Sequence, residues 1–253
     1  MHPEYPRDPL PPLPRIPLLR WLRLYVDAWL DVLFPPRCAG CGALGTLLCD
    51  TCRARFHPIT APYCQRCGQP LPEGTLCGPC ARGRFVHLDM ARAAAVYVPP
   101  LRAIVHTFKY RGNTRLAEPL AQYMARRVRR EALDVDFIVP VPLHRDRQRQ
   151  RGYNQAELLA RGLGAAFDIP VETSVLARVR ATPPQVTLGL RERMENVKGA
   201  FRCVDPARVA GKRVLLVDDV MTTGSTLEAC ATALKEAGTA QVWGYTLARP
   251  PLS

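Results

Sequence analysis

The stretch VLLVDDVMTTGST, from Val214 to Thr226, combines three kinds of residue in a fixed order. An apolar run is followed by two adjacent acids, and the acids are followed by hydroxyl side chains grouped around one glycine. The apolar run predicts a buried β-strand, because branched aliphatic residues dominate it. The residues after it predict a loop that leads into a helix. A strand, a loop and a helix in this order indicate an α/β fold.

The loop has the composition of a phosphate-binding site. Gly224 lets the backbone approach a ligand, and the hydroxyls that surround it belong to Thr222, Thr223, Ser225 and Thr226. The loop enters a helix N-terminus, where unpaired N–H groups and the helix dipole favour an anion. It is not a Walker A loop, because the chain contains no GxxxxGK[ST] motif.

Asp218 and Asp219 require a different ligand group, because carboxylates beside a phosphate would repel it. A sugar diol is the natural group, since each carboxylate can accept hydrogen bonds from two hydroxyls. Phosphate and diol together describe a ribose 5-phosphate. The alternative is that the acids only cap the loop and the helix. The ligand is favoured, because two acids at the end of an apolar strand are costly to bury without a partner.

From about residue 90 the chain alternates between strand and helix patterns. The predicted strands are RAAAVYV, DFIVPVPL, KRVLLVDDV and AQVWGYTLAR, and three of the predicted helices are PPLRAIVHTFKY, TRLAEPLAQYMARRVRREA and STLEACATALKEAG. Asn154 predicts the cap of a further helix, with Glu157 in the position of a capping box. This alternation predicts an α/β domain over residues 90–250, with a parallel sheet flanked by helices.

Eight of the ten cysteines form four CxxC pairs. A CxxC turn directs both thiolates at one point, and two such turns complete a tetrahedral zinc site. The pattern therefore predicts a double zinc ribbon over residues 35–82 with two structural Zn²⁺ ions. Disulfides are disfavoured, because no secretory signal pattern is present and the spacing is typical of metal sites. Sequential and interleaved pairing of the turns both remain open. The predicted ligands are Cys38, Cys41, Cys49, Cys52, Cys64, Cys67, Cys77 and Cys80.

The first 34 residues fall into two segments. Residues 1–16 are rich in proline and predict a disordered or polyproline-like tail. Residues 17–34 predict an amphipathic helix, because their charged residues recur at spacings of three and four. Four charges at this length argue against a membrane-spanning helix. Packing of this helix on the next module is favoured over a membrane-surface role.

The formal net charge is +13, and residues 102–151 contain 12 basic and 5 acidic residues. This excess favours phosphate-bearing partners, either a small phosphorylated ligand or a nucleic acid. Four alternating arginines and a tyrosine beside the predicted site form a candidate surface for single-stranded DNA, in which the tyrosine would stack on a base. The alternative is a solvated loop. The five residues are Arg145, Arg147, Arg149, Arg151 and Tyr153.

The stretch VLLVDDVMTTGST closely resembles the phosphoribosyl-pyrophosphate (PRPP) binding motif of type I phosphoribosyltransferases. Together with VPVPLHRDRQRQRGYNQAELLA, ATPPQVTLGLRERMENVKGAF and the eight-cysteine module, it resembles the ComF family, which includes ComFC and GntX. The resemblance covers roughly residues 30–249 and implies a type I phosphoribosyltransferase fold with an N-terminal zinc ribbon. It also implies a cytoplasmic protein of natural transformation, with single-stranded DNA and proteins of the competence machinery, such as a helicase or a recombination mediator, as partners.

The resemblance also assigns site residues. Asp218 and Asp219 would bind the ribose hydroxyls, and Thr222–Thr226 would bind the 5-phosphate. The pyrophosphate loop would be Val141, Pro142 and Leu143. Arg191 and Arg193 lie where these enzymes have a mobile loop, and they are the candidates for contacting the pyrophosphate, because a leaving group that gathers negative charge needs cations placed in advance. Mg²⁺ would arrive with the pyrophosphate.

Three functions are compatible with these residues. The first is a DNA-uptake protein that binds PRPP, or uses the same pocket for the phosphate and sugar of a DNA strand. The second is an active phosphoribosyltransferase in nucleotide salvage. The third is a regulator that senses PRPP without catalysis and contacts a partner through the zinc ribbon.

Zinc should be part of the folding energy of the cysteine module, because a module this small has little core without metal. We expect a chelator to release two zinc ions per chain and to unfold residues 35–82. Metal analysis and circular dichroism during chelation measure the two effects. A zinc content near zero in carefully purified protein would contradict the assignment.

Overall fold

The computed structural model describes residues 35–128, 133–181 and 197–251. Its centre is a parallel sheet of four strands in the order β1-β6-β5-β2. These strands are β1 (Met90–Val96), β2 (Phe137–Pro140), β5 (Arg213–Val220) and β6 (Gln241–Arg249). The predicted α/β class with a parallel sheet is confirmed.

Strand β5 occupies an inner position, paired with β2 on one side and β6 on the other. Its residues Val214–Val217 are fully buried, which explains the unbroken apolar run in the sequence. Val217 is aligned with both Pro140 and Tyr245, so the three strands end close together. Asp218 and Asp219 therefore lie at the carboxyl edge of the sheet, where α/β proteins bind their ligands.

Helices cover both faces of the sheet. Leu215, Val217 and Tyr245 belong to a core shared with α3 (Leu101–Tyr110), α4 (Ala117–Ala125) and α6 (Gln155–Phe167). Val214 and Leu216 belong to a second core shared with α8 (Ser225–Glu236). Successive residues of a strand face opposite sides, so the two cores lie on opposite faces. A further helix, α5 (Arg145–Arg151), follows β2 in the sequence.

The helix predicted over residues 114–132 is shorter in the structure. A 3₁₀ turn spans Thr114–Leu116, α4 follows and ends at Ala125, and Arg127 turns back to lie 4.9 Å from the ring centre of Tyr123. The arginines after Ala125 offer no apolar face to the core, and like charges three and four residues apart disfavour a helix. Residues 129–132 lie outside the described chain.

A second sheet and a short helix lie between α6 and β5 in the sequence. The antiparallel strands β3 (Leu176–Arg178) and β4 (Phe201–Cys203) pair, and α7 (Pro206–Val209) follows them. Leu176 and Phe201 are buried in the same core as α8. This arrangement directs the end of β3 toward the carboxyl edge of the main sheet.

The cysteine module contains the short helices α1 (Asp50–Ala54) and α2 (Gly78–Ala81). Its first half packs on the α3 and α4 side, where the rings of Phe56 and Tyr123 meet edge to face at 5.0 Å. Its second half, including Phe85, packs on the α8 side. The module therefore contributes to the cores on both faces of the sheet.

Helices α4 and α6 approach closely at Gly162. A Cβ atom at this position would lie 2.4 Å from the Cβ of Ala121. We expect Gly162→Ala to lower the free energy of unfolding by about 1–3 kcal/mol through overpacking. At an open helical site the same change would raise it by about 1 kcal/mol, so the sign is diagnostic.

The control moves the methyl group from one helix to the other. The double variant Ala121→Gly with Gly162→Ala should recover most of the lost stability in denaturant unfolding, apart from the helix propensity of the new glycine. An unchanged or increased stability of the single variant would show that the helices can separate without loss.

Candidate functional site

The two acids at the end of β5 have different environments. Asp219 is only 6% exposed, and its Oδ1 lies 2.7 Å from the Nζ of Lys109, the penultimate residue of α3. Asp218 is half-buried, and its Oδ1 accepts a hydrogen bond from the backbone N–H of Asp219 at 2.8 Å. One carboxylate is thus neutralised by a lysine from a neighbouring helix, and the other keeps access to solvent.

The charges of these groups are coupled. Burial and the neighbouring charge of Asp219 raise the pKa of Asp218 from 3.8 to about 7, although Lys109 and Arg178 oppose this rise. Burial alone would lower the pKa of Lys109, but the carboxylates of Asp219 and Asp218 hold that pKa above its ordinary value. Lys109 is therefore a firm cation, and Asp218 can be protonated near neutral pH.

The loop after β5 is compact and leads directly into α8. The hydroxyls of Thr223 and Ser225 lie 2.6 Å apart, and the Thr223 hydroxyl accepts a hydrogen bond from the N–H of Ser225 at 3.3 Å. Thr222 is exposed, and Thr226 is half-buried. The first turn of α8 leaves N–H groups without partners inside the helix, which suits an anion.

Gly224 is required for a structural reason that the sequence did not predict. Its φ of +81° is a left-handed conformation, and a Cβ atom would lie 2.6 Å from the Cζ of Phe85. The close approach is therefore made by a side chain of the segment between the cysteine module and β1. The backbone of Gly224 is buried under this ring.

Val141, in the predicted pyrophosphate loop, is fixed by the fold. Its N–H donates to the carbonyl of Val217 at 2.9 Å, and its carbonyl accepts from the side chain of Asn154 at 3.0 Å. The carbonyl oxygen of the same Asn154 side chain caps α6 through the N–H of Ala156 at 3.1 Å, as predicted. Glu157 pairs with Arg161 at 2.8 Å, and no bond from Glu157 to the cap is seen. Pro142 and Leu143 are half-buried beside β5.

The four predicted DNA-binding arginines lie on α5, a helix, so they do not form a solvated loop. Residues four apart share a helical face, which separates Arg145 and Arg149 from Arg147 and Arg151. The first pair is exposed and the second is half-buried, so the structure does not bring all four to one surface. Arg149 forms an ion pair with Asp146.

Two further arginines mark the approach to Asp218. Arg178, the last residue of β3, lies over the ring of Phe201 at 5.3 Å. Burial and the nearby guanidinium of Arg147 lower the pKa of Arg178, and Asp218 acts in the opposite sense. Arg147 and Arg178 thus place two positive charges close together near the open carboxylate. An anion between them would relieve their repulsion.

Tyr153, the predicted stacking residue, is half-buried, whereas Tyr110, which the sequence did not single out, is exposed. The hydroxyl of Tyr153 donates to the carbonyl of Phe108, and its ring packs against the Phe108 ring at 6.2 Å. Tyr110 is 62% exposed, with the guanidinium of Arg151 over its ring at 5.1 Å and His106 at 4.9 Å. The exposed aromatic group beside the arginines is therefore Tyr110.

The sequence reasoning missed Lys109, Arg178 and Tyr110. Lys109 is one of only four lysines in a chain whose other 31 basic residues are arginines, which is a weak signal that could have been used. Arg178 carries no local signal, because its strand is three residues long. Arg191 and Arg193 lie outside the described residues.

The eight paired cysteines form two groups that are sequential in the chain. One comprises Cys38, Cys41, Cys49 and Cys52, and the other comprises Cys64, Cys67, Cys77 and Cys80. Within each group the sulfur atoms lie within 4.8 Å of one another. The closest approaches are 3.6 Å between Cys41 and Cys49, and 3.7 Å between Cys67 and Cys77. The interleaved pairing is therefore not the one adopted.

These groups fit zinc. Tetrahedral Zn–S bonds of about 2.3 Å place the sulfur atoms roughly 3.8 Å apart, close to the observed distances. All ten cysteines are free thiols, so no disulfide competes. Burial alone would raise the pKa of Cys38 and of Cys64, but N–H groups of the CxxC turns lower each to about 6. Each site thus contains one cysteine whose pKa favours the thiolate that a metal needs, while burial raises the pKa of Cys52 and of Cys80.

Comparison with known proteins agrees with both parts of this description. Residues 29–81 match the double zinc ribbon domain family, and residues 149–251 match the phosphoribosyl transferase domain family. Competence protein F of Haemophilus influenzae is 35% identical over 210 residues, which are 79% of this chain and 90% of that protein. The chain belongs to the ComF family.

Two other relatives of this ComF chain have similar coverage. The DNA utilization protein YhgH of Escherichia coli K12 is 34% identical over 80% of this chain and 90% of its own length. Competence protein ComFC of Bacillus subtilis is 28% identical over 80% of this chain and 84% of its own length. The resemblance to ComF and the predicted phosphoribosyltransferase fold with a zinc ribbon are confirmed.

The helices of the described part of this ComF chain include none that combines the length and hydropathy needed to cross a membrane. The predicted tail over residues 1–16 and the predicted amphipathic helix over residues 17–34 lie outside the described residues.

The unequal acids predict opposite effects of the same substitution. Asp218 binds its proton more tightly in the folded chain than in the unfolded chain, where its pKa is about 3.8, so its ionisation destabilises the fold. This penalty is absent below about pH 4 and complete above about pH 7. We expect Asp218→Asn to raise the Tm at pH 8, by on the order of 2–4 °C per kcal/mol, and to raise it less at pH 5.

Asp219→Asn is the matched control. It removes the carboxylate nearest to Lys109, and a buried ion pair that loses one partner is destabilised by roughly 3–5 kcal/mol. Asp218 remains nearby, so we expect the lower end of this range and a reduced Tm at pH 8. An equal response of the two variants in thermal unfolding would contradict the described environments.

Proposed function

We propose that this chain is a DNA-uptake protein of natural transformation that binds PRPP, or a similar sugar phosphate, and handles single-stranded DNA in the cytoplasm. The observation that supports this best is the acid pair at the end of β5. Lys109 neutralises Asp219, which leaves Asp218 open beside a hydroxyl-rich loop at a helix N-terminus. A site with one open carboxylate and one anion cradle matches the two ends of a ribose 5-phosphate.

Each part of PRPP has a complementary group. The ribose diol would donate hydrogen bonds to Asp218, and the 5-phosphate would accept them from the loop over Thr222–Thr226. The pyrophosphate would lie toward Arg147 and Arg178, with Val141–Leu143 at its side. Arg191 and Arg193 remain candidates for further contacts. Mg²⁺ would be held mainly by the pyrophosphate and would neutralise its charge.

The role in DNA uptake is supported by the relatives. Competence protein F and ComFC carry the word competence in their names, and the YhgH relatives are DNA utilization proteins. These relatives share most of their length with this chain. A cytoplasmic location is in keeping with two clusters of thiols, which persist in a reducing compartment. Proteins of the competence machinery, such as a helicase or a recombination mediator, would then be its partners.

The candidate DNA surface combines α3 and α5. His106 and Arg151 both contact the ring of Tyr110, the His106 ring at an interplanar angle of 47°. His106 also lines a groove of about 470 Å³ together with Arg102 and Arg111. An exposed ring stacks on a base, and arginines along a groove follow the phosphates. The groove lies beside Tyr97, at the carboxyl end of β1, so it opens at the same edge of the sheet as Asp218.

Two alternative functions also bind PRPP, and they differ in whether PRPP reacts. An active phosphoribosyltransferase would release pyrophosphate from PRPP in the presence of an acceptor base, whereas a sensor would bind PRPP and leave it intact. A panel of bases with detection of pyrophosphate separates them. Release well above the rate without protein supports the enzyme, and inactivity with every base removes it.

Calorimetry of PRPP binding tests the ligand. We expect Asp218→Asn with Asp219→Asn to weaken PRPP binding by at least about tenfold, since hydrogen bonds to a charged group contribute roughly 1.5–3 kcal/mol each. Asp218→Asn alone should produce most of this loss, because Asp218 is the open carboxylate. Glu157→Gln, in α6 and ion-paired with Arg161, is the control. The assignment fails if the double variant binds PRPP as well as the wild type.

Binding of a single-stranded oligonucleotide tests the DNA surface. We expect Tyr110→Ala to weaken binding by roughly 1–3 kcal/mol, and Tyr153→Phe, which keeps the half-buried ring, to have little effect. Changing Arg145, Arg147, Arg149 and Arg151 to glutamine should reduce the salt dependence, by about 0.7 in the log–log slope per lost phosphate contact. Binding that survives both sets of changes would place the DNA elsewhere.

A further inference from the structure

The segment Phe85–Leu88, here called the strap, connects the second cysteine group to β1 and runs beneath the phosphate loop. The ring of Phe85 is buried and occupies the space in which a side chain at position 224 would lie, 2.6 Å from such a Cβ atom. Outside this ring, the sulfur of Met221 lies nearest to that position, at 3.6 Å. The loop is thus packed on the strap.

Glu228, in the first turn of α8, binds the strap through its backbone. Its Oε1 accepts hydrogen bonds from the N–H groups of Val86 and His87, and its Oε2 accepts one from Leu88, all at 2.9–3.0 Å. The ring of His87 contacts the hydroxyl of Thr232, one turn further along α8, at 3.1 Å. Three hydrogen bonds to one carboxylate fix the start of α8, and hence the end of the phosphate loop, relative to the strap.

The strap is also joined to the second cysteine group. Arg66 lies between Cys64 and Cys67, and its guanidinium donates to the carbonyl of Phe85 at 3.0 Å. From the other side, the buried Arg249 at the end of β6 donates to the carbonyl of Cys67. The turn that holds two zinc ligands is therefore bonded to the strap and to the sheet.

The first cysteine group has no corresponding contact with the loop among the described residues. It lies against α3, where a Cβ atom at Gly40 would be 2.8 Å from the Sγ of Cys52 and 3.3 Å from the Cδ1 of Ile104. It belongs to the core on the opposite face of the sheet. The two groups therefore provide an internal comparison between a metal site that is joined to the loop and one that is not.

We propose that Phe85 and Glu228 are positioning residues for the phosphate loop, and that the strap makes the geometry of this loop depend on the second zinc site. The proposal rests on the proposed function for the identity of the ligand. The contacts predict a chain of dependence that runs from the Cys64–Cys80 group through Arg66 and the strap to Gly224 and α8. Loss of the second metal should loosen the ligand site, whereas loss of the first should not.

The first test uses hydrogen exchange of the backbone amides of residues 222–228 in the protein without ligand. We expect Phe85→Ala and Glu228→Gln to accelerate this exchange about tenfold while the zinc content stays at two ions. The matched controls are Val86→Ala, at a strap position whose side chain is 73% exposed, and Glu236→Gln, at the exposed end of α8. Phe85→Leu, which refills most of the space, should restore slow exchange.

The second test compares Cys80→Ser with Cys41→Ser, each of which removes one partly accessible thiolate from one group. Each variant should lose one zinc ion. We expect faster exchange of residues 222–228 only in Cys80→Ser. Exchange at wild-type rates in Phe85→Ala and Glu228→Gln would overturn the positioning role, and an equal response of the two cysteine variants would overturn the dependence on the second site.

PRPP binding to the same variants separates this proposal from the proposed function. If the loop responds as expected and PRPP binds the wild type, the affinity should fall about tenfold in Phe85→Ala. If the loop responds and PRPP binds none of the proteins, the ligand assignment is wrong and the positioning by the strap stands. If PRPP binds Phe85→Ala as tightly as it binds the wild type, the positioning role is wrong.

Discussion

The ion pair between Lys109 and Asp219 makes the end of β5 compatible with a buried strand. Two adjacent carboxylates at this point would repel each other and lose hydration, so at least one needs a cation that is held in place. The cation comes from α3, which must therefore lie across the carboxyl edge of the sheet. The position of Lys109 on α3 and the solvent access of the half-buried Asp218 side chain are both consistent with this pair.

In the proposed function, Asp218 is the acid that would contact the ligand, because it keeps access to solvent. Burial and the neighbouring charge of Asp219 raise the pKa of Asp218 to about 7, so its ionised form is disfavoured in the unliganded site. Burial and the neighbouring guanidinium of Arg147 likewise lower the pKa of Arg178, so its charged form is also disfavoured. A ligand whose hydroxyls bind Asp218 and whose negative charge lies near the arginines would stabilise the charged forms of both groups. Strain of this kind is common where a protein binds charged molecules.

The sequence predicted the parts of this site that are local. The strand β5, the loop with its hydroxyls and the CxxC turns are each contained in a few consecutive residues, so their composition specifies them. Lys109 and Arg178 could not be assigned in this way, because their roles depend on how separate elements meet. The arginine run shows the limit clearly. Alternation suggests a single row, but the run folds as a helix and presents its members on two faces.

The same distinction explains the two tyrosines and the cysteines. Tyr153 packs against Phe108 and is half-buried, whereas Tyr110 is exposed, and this difference arises only in the tertiary structure. Four CxxC turns allow sequential and interleaved pairing, and the choice is made by the sheet, since each half of the module joins a different core. The CxxC pattern predicted the zinc sites, and the tertiary structure determines which turns share a site.

The attachment of the cysteine module to both faces of the sheet has a consequence for how such a chain can be divided. Cys38, Leu48 and Phe56 complete one core, while Cys64, Phe85 and Leu88 complete the other. A fragment that began at β1 would expose apolar surface on both sides, and a fragment that ended there would leave two metal sites without support. The two parts therefore share their cores, and we expect neither to fold stably without the other.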